Sequence, residues 1–324
     1  MELFRQYYQN RIILIACIII ISVILSSCGN EPKETEVKIS KVASTQNRSN
    51  EPKCLTPVAG GEKIFGEGGL TVDATNSSDG YLYVKSTGEN QDIKIQLNCD
   101  ESVTYTYIIP EGDSVIPLSL GDGEYTIIAY EGMGEEGMYA TDFAETLNVT
   151  MPDQFLPFLY PNCYVQFDIN SDVVALGKEL AAGKATDIEV VAAVYDYVVK
   201  NITYDHERAA TVKPDYVPNV DQVLHEKKGI CFDYAALMAA MLRSQRIPTR
   251  LEFGYAGDAY HAWITAYIED EGWINGIIEF DGVDWTLMDP TFAANAGTKK
   301  IKSFIGDGSN YSDVYYYWMT ESGR

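Results

Sequence analysis

The spacing of apolar residues changes character once along this chain, near residue 152, and that change limits the fold more than any other feature. Before it, six short runs rich in β-branched and aromatic residues recur, at 70–74, 81–85, 93–97, 104–109, 125–130 and 144–149. Turn-forming clusters separate them, among them Ser78-Asp79-Gly80, Glu111-Gly112-Asp113 and Gly121-Asp122-Gly123. Strands at this spacing predict a small all-β sandwich over 59–151. This stretch contains no histidine and no catalytic set, so support or binding is its expected work. Gly132-Met133-Gly134-Glu135-Glu136-Gly137 spells a dinucleotide fingerprint. That motif needs a strand before it and a helix after it, and two glutamates would repel a pyrophosphate. A glycine-rich hairpin loop is the expectation.

From 152 to 324 helical spacing comes first and strands follow, an α+β order. Thr186 and Glu189 form a capping-box pair, after which Ile188, Val191, Tyr195, Val198 and Ile202 share one helical face. A second helix begins near Cys231, carries Tyr234, Leu237, Met238, Met241 and Leu242, and must stop before Ile247-Pro248. Strands are expected at 249–255, 261–268 and 284–288. The tail from 297 to 324 holds Tyr311, Tyr315, Tyr316, Tyr317 and Trp318, too much aromatic area to leave in water, so it is expected to pack on this domain.

The first 27 residues read as an export signal: Arg5 and Arg11, then an apolar run over 12–25, short for a membrane span. Leu25-Ser26-Ser27-Cys28 resembles a lipobox, so Cys28 is the expected lipidation site and the membrane a partner through that lipid. An uncut anchor is the alternative; both place the protein outside the cytoplasm, tethered to a membrane. Residues 28–58, polar and without apolar periodicity, read as a flexible tether. Of six cysteines, Cys17 leaves with the signal, and Cys54, Cys99, Cys163 and Cys231 remain with Cys28. They are too sparse for a disulfide scaffold, though a bridge between Cys54 and Cys99 is allowed by the count. The net charge of −23 argues against nucleic acid, whose phosphates require basic patches.

Three residues carry chemistry. Cys231 follows Gly229-Ile230 and opens a helix, where the dipole and unpaired N–H groups favour thiolate and can hold an oxyanion. Alone, it would read as a small buried cysteine. His261 starts an alternating strand and shares a face with Trp263, Thr265 and Tyr267, away from Ala262, Ile264, Ala266 and Ile268. It is expected to face the Cys231 helix, where an imidazole can take the thiol proton and return it to a leaving amine. Asp289 ends a strand before Pro290-Thr291, and a carboxylate there can orient that imidazole.

Lys228-Gly229-Ile230-Cys231-Phe232-Asp233-Tyr234-Ala235, with Arg246-Ile247-Pro248-Thr249-Arg250 downstream, resembles the nucleophile block of bacterial transglutaminase-like domains. Tyr260-His261-Ala262-Trp263 resembles the family's histidine block and Asp289-Pro290-Thr291 its aspartate block; Tyr204 lies in a segment, Asn201–Asp205, that also resembles the family upstream of the cysteine. The resemblance covers 185–295. It implies a papain-like α+β core, helices packed on an antiparallel sheet, with a catalytic Cys231, His261 and Asp289. It also implies thioester chemistry on protein or peptide substrates, and neither metal nor cofactor. Water as acceptor gives hydrolysis, an amine a cross-link, with hydrolysis slightly favoured. Gln222 and Tyr204 are the candidates for a further oxyanion-hole donor. The rival reading is a surface binding module using the same fold without catalysis; a third locks Cys231 in a disulfide to Cys163.

The remaining polar residues read structurally. His206, between Asp205 and Glu207, is expected in a solvated loop, since adjacent residues point apart and rarely chelate together. His225 is expected in a surface loop before Cys231. Asp233 reads as a first-turn helix residue, and Trp263, Trp273 and Trp285 as core.

Overall fold

The computed structural model describes residues 48–87, 92–100, 103–135, 137–213, 215–256, 259–269, 272–274, 277–280, 285–288 and 311–316, all within one compact unit. The expected export signal, Cys28 and Asp289 lie outside the described residues.

Eight strands occupy the first half: β1 (Ile64–Phe65), β2 (Leu70–Asp73), β3 (Tyr81–Ser86), β4 (Ile93–Cys99), β5 (Thr104–Ile109), β6 (Gly112–Pro117), β7 (Gly123–Gly132) and β8 (Tyr139–Val149). They form two four-stranded antiparallel sheets, ordered β1-β2-β3-β6 and β5-β4-β7-β8. Alternation sets the burial: in β4, Ile93, Ile95, Leu97 and Cys99 are buried and the residues between them are half-buried. Buried side chains of both sheets belong to one hydrophobic cluster that continues into the second half. The glycine-rich fingerprint forms the connection between β7 and β8, where Met133 N–H donates to the Met138 carbonyl at 2.9 Å. Of the cluster Glu111-Gly112-Asp113, expected as a turn, Glu111 lies in the bend after β5, but Gly112 and Asp113 open β6. The strand's apolar content is confined to Val115 and Ile116 before Pro117, too little for periodicity to register.

The second half contains five α-helices among the described residues: α1 (Asp172–Ala181), α2 (Asp187–Asn201), α3 (His206–Thr211), α4 (Val220–Glu226) and α5 (Cys231–Ser244). Strands β9 (Thr203–Tyr204) and β10 (Lys228–Gly229) form a parallel pair. Then come β11 (Thr249–Ala256), β12 (Ala259–Ile268), β13 (Gly272–Ile274), β14 (Ile277–Phe280), β15 (Trp285–Met288) and β16 (Tyr311–Tyr316). The larger sheet runs β13-β12-β11-β16, all antiparallel, and β14 pairs with β15. The aromatic tail thus contributes a strand to the sheet that carries His261. This is a mixed α+β architecture, helices against antiparallel strands.

Helix α2 starts as expected: the Glu189 N–H donates to Thr186 Oγ1, and the Thr186 N–H to Glu189 Oε2, both at 3.3 Å. Helix α5 departs from expectation, because every residue from Phe232 to Ser244 is buried. It is the central rod of the domain, in contact with α1, α2, α4, β11 and β12. Four alanines let neighbours approach from several sides. Arg243, only 1% exposed, donates to the Thr249 carbonyl at 3.0 and 2.8 Å and to the Tyr160 carbonyl at 2.9 Å. The helix closes in a Schellman arrangement, with Ile247 N–H on the Leu242 carbonyl and Arg246 N–H on that of Arg243. Arg246 takes the left-handed conformation, φ 65°, before Pro248.

The end of the polar stretch expected as a free tether is fastened down. Arg48 pairs with Asp187 and donates to the Gln245 carbonyl, Lys53 N–H donates to the Ser244 carbonyl, and Arg246 donates to the carbonyls of Ser49 and Glu51. Residues 48–53 thereby cap the C-terminal end of α5, which sequence polarity could not indicate because these are backbone and charge contacts. All four described cysteines are free thiols, so neither the Cys54–Cys99 nor the Cys163–Cys231 bridge is formed.

Candidate functional site

Cys231 is the first residue of α5 and is half-buried. The residue before it, Ile230, occupies the cap position with extended backbone and no hydrogen-bonding side chain. The first bond within the helix comes from Tyr234 N–H to the Ile230 carbonyl, at 3.1 Å. The N–H groups of Cys231, Phe232 and Asp233 therefore have no partner inside the helix. Such an end attracts negative charge, whether a thiolate or an oxyanion.

Asp233 holds this turn in place. Its Oδ2 accepts from Ile230 N–H at 2.7 Å, and Oδ1 accepts from the Tyr216 hydroxyl at 2.5 Å. Arg208 approaches the same carboxylate at 3.5 Å. The side chain is fully buried, which raises its pKa; the bonds from Tyr216, Ile230 and Arg208 work in the opposite direction. Gly229 is required here by close approach: a Cβ on it would lie 2.5 Å from Asp233 Cβ. Arg208 also pairs with Glu226 at 3.3 Å and, through its N–H, with Asp205 Oδ1 at 3.0 Å. Lys228 reaches Asp205 at 3.1 Å. That N–H bond, with Lys228 and Arg208, holds the Asp205 carboxyl below its usual range. Asp233 was expected as an ordinary first-turn residue; it is instead the buried hub of this network. Only its place two residues after the cysteine was visible in the sequence, since Tyr216 and Arg208 arrive from other segments.

His261 lies on β12 opposite Gly254 and is 6% exposed. Helix α5 packs against β12, so Cys231 and His261 stand on touching elements. As alternation predicted, His261 shares a face with Trp263 and Thr265. Trp263, paired across the sheet with Glu252, donates its indole N–H to that carboxylate at 2.8 Å. Glu252 is 4% exposed, and burial raises its pKa. His261 was expected to face the Cys231 helix, but the ring contact between this sheet and the first turn of α5 comes from the other face, where Phe253, the cross-strand partner of Ala262, meets Phe232 at 5.0 Å.

Of the two oxyanion candidates, the fold brings one beside the short strand that precedes Cys231. Tyr204 on β9 pairs with Gly229 on β10, two residues before Cys231, and its ring lies 6.4 Å from that of Tyr234. Gln222 is exposed on α4, its amide donating to Glu226 at 2.6 Å. His206 opens α3 and is exposed, and its ring contacts Tyr204 at 4.9 Å. His225 belongs to the last turn of α4 rather than to a loop, 2.9 Å from Asp172. A helix of seven residues is too short to show a clear apolar period.

Residues 174–276 match the transglutaminase-like superfamily, a stretch that includes Cys231 and His261. Two curated proteins are similar in sequence. The uncharacterized protein ML0607 of Mycobacterium leprae is 30% identical over 201 residues, covering 56% of this chain and 61% of that one. The uncharacterized protein YebA of Bacillus subtilis is 33% identical over 104 residues, covering 26% of this chain and 14% of that one. The chain thus spans about three-fifths of the first relative's length and about one-seventh of the second's. Among solved structures, the periplasmic domain of TgpA from Pseudomonas aeruginosa, bound to ethylmercury, aligns with a TM-score of 0.34 and 17% identity, over 74% of this chain and 77% of that one.

Proposed function

We propose that this protein is an extracytoplasmic enzyme, held to the membrane by a lipid on Cys28, that performs thiol-mediated acyl transfer or amide hydrolysis on protein or peptide substrates. The observation that carries the reading is a free thiol, Cys231, opening a helix whose first N–H groups have no internal partner. It lies in a transglutaminase-like segment that also contains His261.

In this reading His261 accepts the Cys231 proton and Asp289 orients the imidazole. The sulfur attacks an amide carbonyl, and negative charge on its oxygen is held by the N–H groups at the start of α5, with Tyr204 and Gln222 the side-chain candidates. Collapse breaks the C–N bond, the amine leaves with the imidazolium proton, and a thioester remains. Water then releases the acid, or an amine forms a new amide. The slight preference for hydrolysis rests on water being the commonest acceptor outside a cell.

The test is alkylation by a thiol-reactive amide probe under non-denaturing conditions. Wild type is expected to label at Cys231 and Cys231→Ala to lose that label, with His261→Ala and Asp289→Asn slowing it at neutral pH by about tenfold or more. Equal labelling of wild type and Cys231→Ala would leave a binding module as the better description.

A further inference from the structure

Strands β9 and β10 run parallel with Tyr204 level with Gly229, and the pairing extends one residue further, where Asp205 N–H donates to the Gly229 carbonyl at 2.8 Å. Advancing both chains by two residues puts His206 level with Cys231. Each of these residues opens a helix, α3 and α5 respectively. The two helices therefore leave, side by side, a strand pair whose chains lie about 4.8 Å apart.

Side-chain contacts keep the two helix starts together. Arg208, in α3, stands 3.5 Å from Asp233 in the first turn of α5 and 3.7 Å from Asp205. Lys228, three residues before Cys231, reaches Asp205 at 3.1 Å. The Tyr204 ring spans the gap: it meets the His206 ring at 4.9 Å and the Tyr234 ring at 6.4 Å. Tyr234 follows Cys231 by three residues, which makes them neighbours on the helix surface. His206 and the cysteine's side of α5 thus flank one tyrosine. Exposure separates this imidazole from the one on β12. His206 is exposed, Cys231 is half-buried and His261 is 6% exposed. Water or an amine arriving from outside meets His206 first.

We infer that His206 is a further catalytic residue, the base that activates the acyl acceptor once a thioester has formed on Cys231. This rests on the thiol acyl-transfer reading and divides its labour: buried His261 serves the sulfur, exposed His206 the acceptor. The His206 imidazole takes a proton from the incoming water as the water oxygen bonds to the thioester carbonyl carbon. Collapse breaks the C–S bond, its electron pair stays on sulfur, the acid departs, and the imidazolium proton returns to the thiolate. An amine acceptor follows the same course to an amide.

The test has a geometric arm and a kinetic arm, both on the full-length protein. Methyl methanethiosulfonate adds a methylthio group to Cys231, and Cys231→Ala supplies the blank. Ring signals of ¹³C-labelled histidine, three in all, are assigned with single His→Ala variants. The His206 signal is expected to move in wild type and not in Cys231→Ala, while that of His225 stays in place. In the kinetic arm p-nitrophenyl acetate supplies an acetyl group, and intact-protein mass spectrometry follows acetyl-Cys231. His206→Gln is expected to acquire the acetyl group within about twofold of the wild-type rate and to release it about a hundredfold more slowly. Free imidazole should restore release in His206→Gly but not in His206→Phe, whose ring fills the vacated space. A His206 signal unmoved by the methylthio group overturns the proposal, as does equal restoration in the glycine and phenylalanine variants. Normal acetylation with unchanged release in His206→Gln refutes this proposal alone. Absence of acetyl-Cys231 in wild type would refute the thiol acyl-transfer reading, and the proposal with it.

Discussion

The Asp233–Tyr216 contact allows a quantitative test of how the turn that carries Cys231 is held. Asp233→Ala removes a fully buried carboxylate and leaves the Ile230 N–H, the Tyr216 hydroxyl and Arg208 without their common acceptor. Breaking a buried charged pair from one side costs about 3–5 kcal/mol. Tyr216→Phe removes only the hydroxyl, a bond to a charged group worth about 1.5–3 kcal/mol. Once Asp233 is absent the hydroxyl has nothing to donate to, so the double variant should cost little more than Asp233→Ala alone. Urea unfolding of wild type, both single variants and the double variant yields the coupling energy, expected at about 1.5–3 kcal/mol. The same variants should slow alkylation of Cys231, because the carboxylate anchors the N–H of the residue before it. If the two substitutions add to within about 0.5 kcal/mol, the hydroxyl and carboxylate are not partners and the account of the turn fails.

Two further outcomes follow from the same geometry. Gly229→Ala places a methyl group 2.5 Å from Asp233 Cβ, against a side chain held in place by Ile230 N–H and the Tyr216 hydroxyl. A loss of about 1–3 kcal/mol is expected by thermal unfolding, together with slower alkylation of Cys231. Burial pushes the Cys163 thiol up to about 12 from an ordinary value near 9. A thiol raised on folding contributes its full stabilisation below its unfolded pKa and loses it as pH climbs toward the folded value. Stability should therefore fall between pH 9 and 12, by an amount on the order of 4 kcal/mol from this group, and Cys163→Ala should remove that part of the slope. An identical pH profile for the two proteins would refute the assignment.

Sequence reasoning recovered those elements whose causes are local. The Thr186–Glu189 box marked the start of α2 because both halves of the cap lie within four residues. Strands β4 and β5 followed from short β-branched and aromatic runs and β12 from alternation, and Pro248 marked the stop of α5 closely, since the helix ends at Ser244. Cys231 at a helix start was legible for the same reason. What sequence could not show was α5 buried on every side, because a central helix has no polar face and its period is lost. Nor could it show Asp233 as a hub, since the partners are 17 and 25 residues away and meet it only after folding. The fastening of residues 48–53 onto the end of α5 was hidden similarly: a polar composition suggests freedom, but two arginines and a few carbonyls suffice to end it.

A rod that touches water on no side has no reason to form by itself. Outside its surroundings the segment from Cys231 to Ser244 would gain little from coiling, since a short isolated helix is marginal at best. The unpaired amides and the dipole at Cys231 therefore come into being only when neighbouring layers close around the rod. A chain still unravelled lacks that helix end, which appears together with the completed structure. Quenched samples taken during refolding should thus gain labelling at Cys231 in step with the last cooperative phase, which makes that sulfur a built-in reporter of maturation.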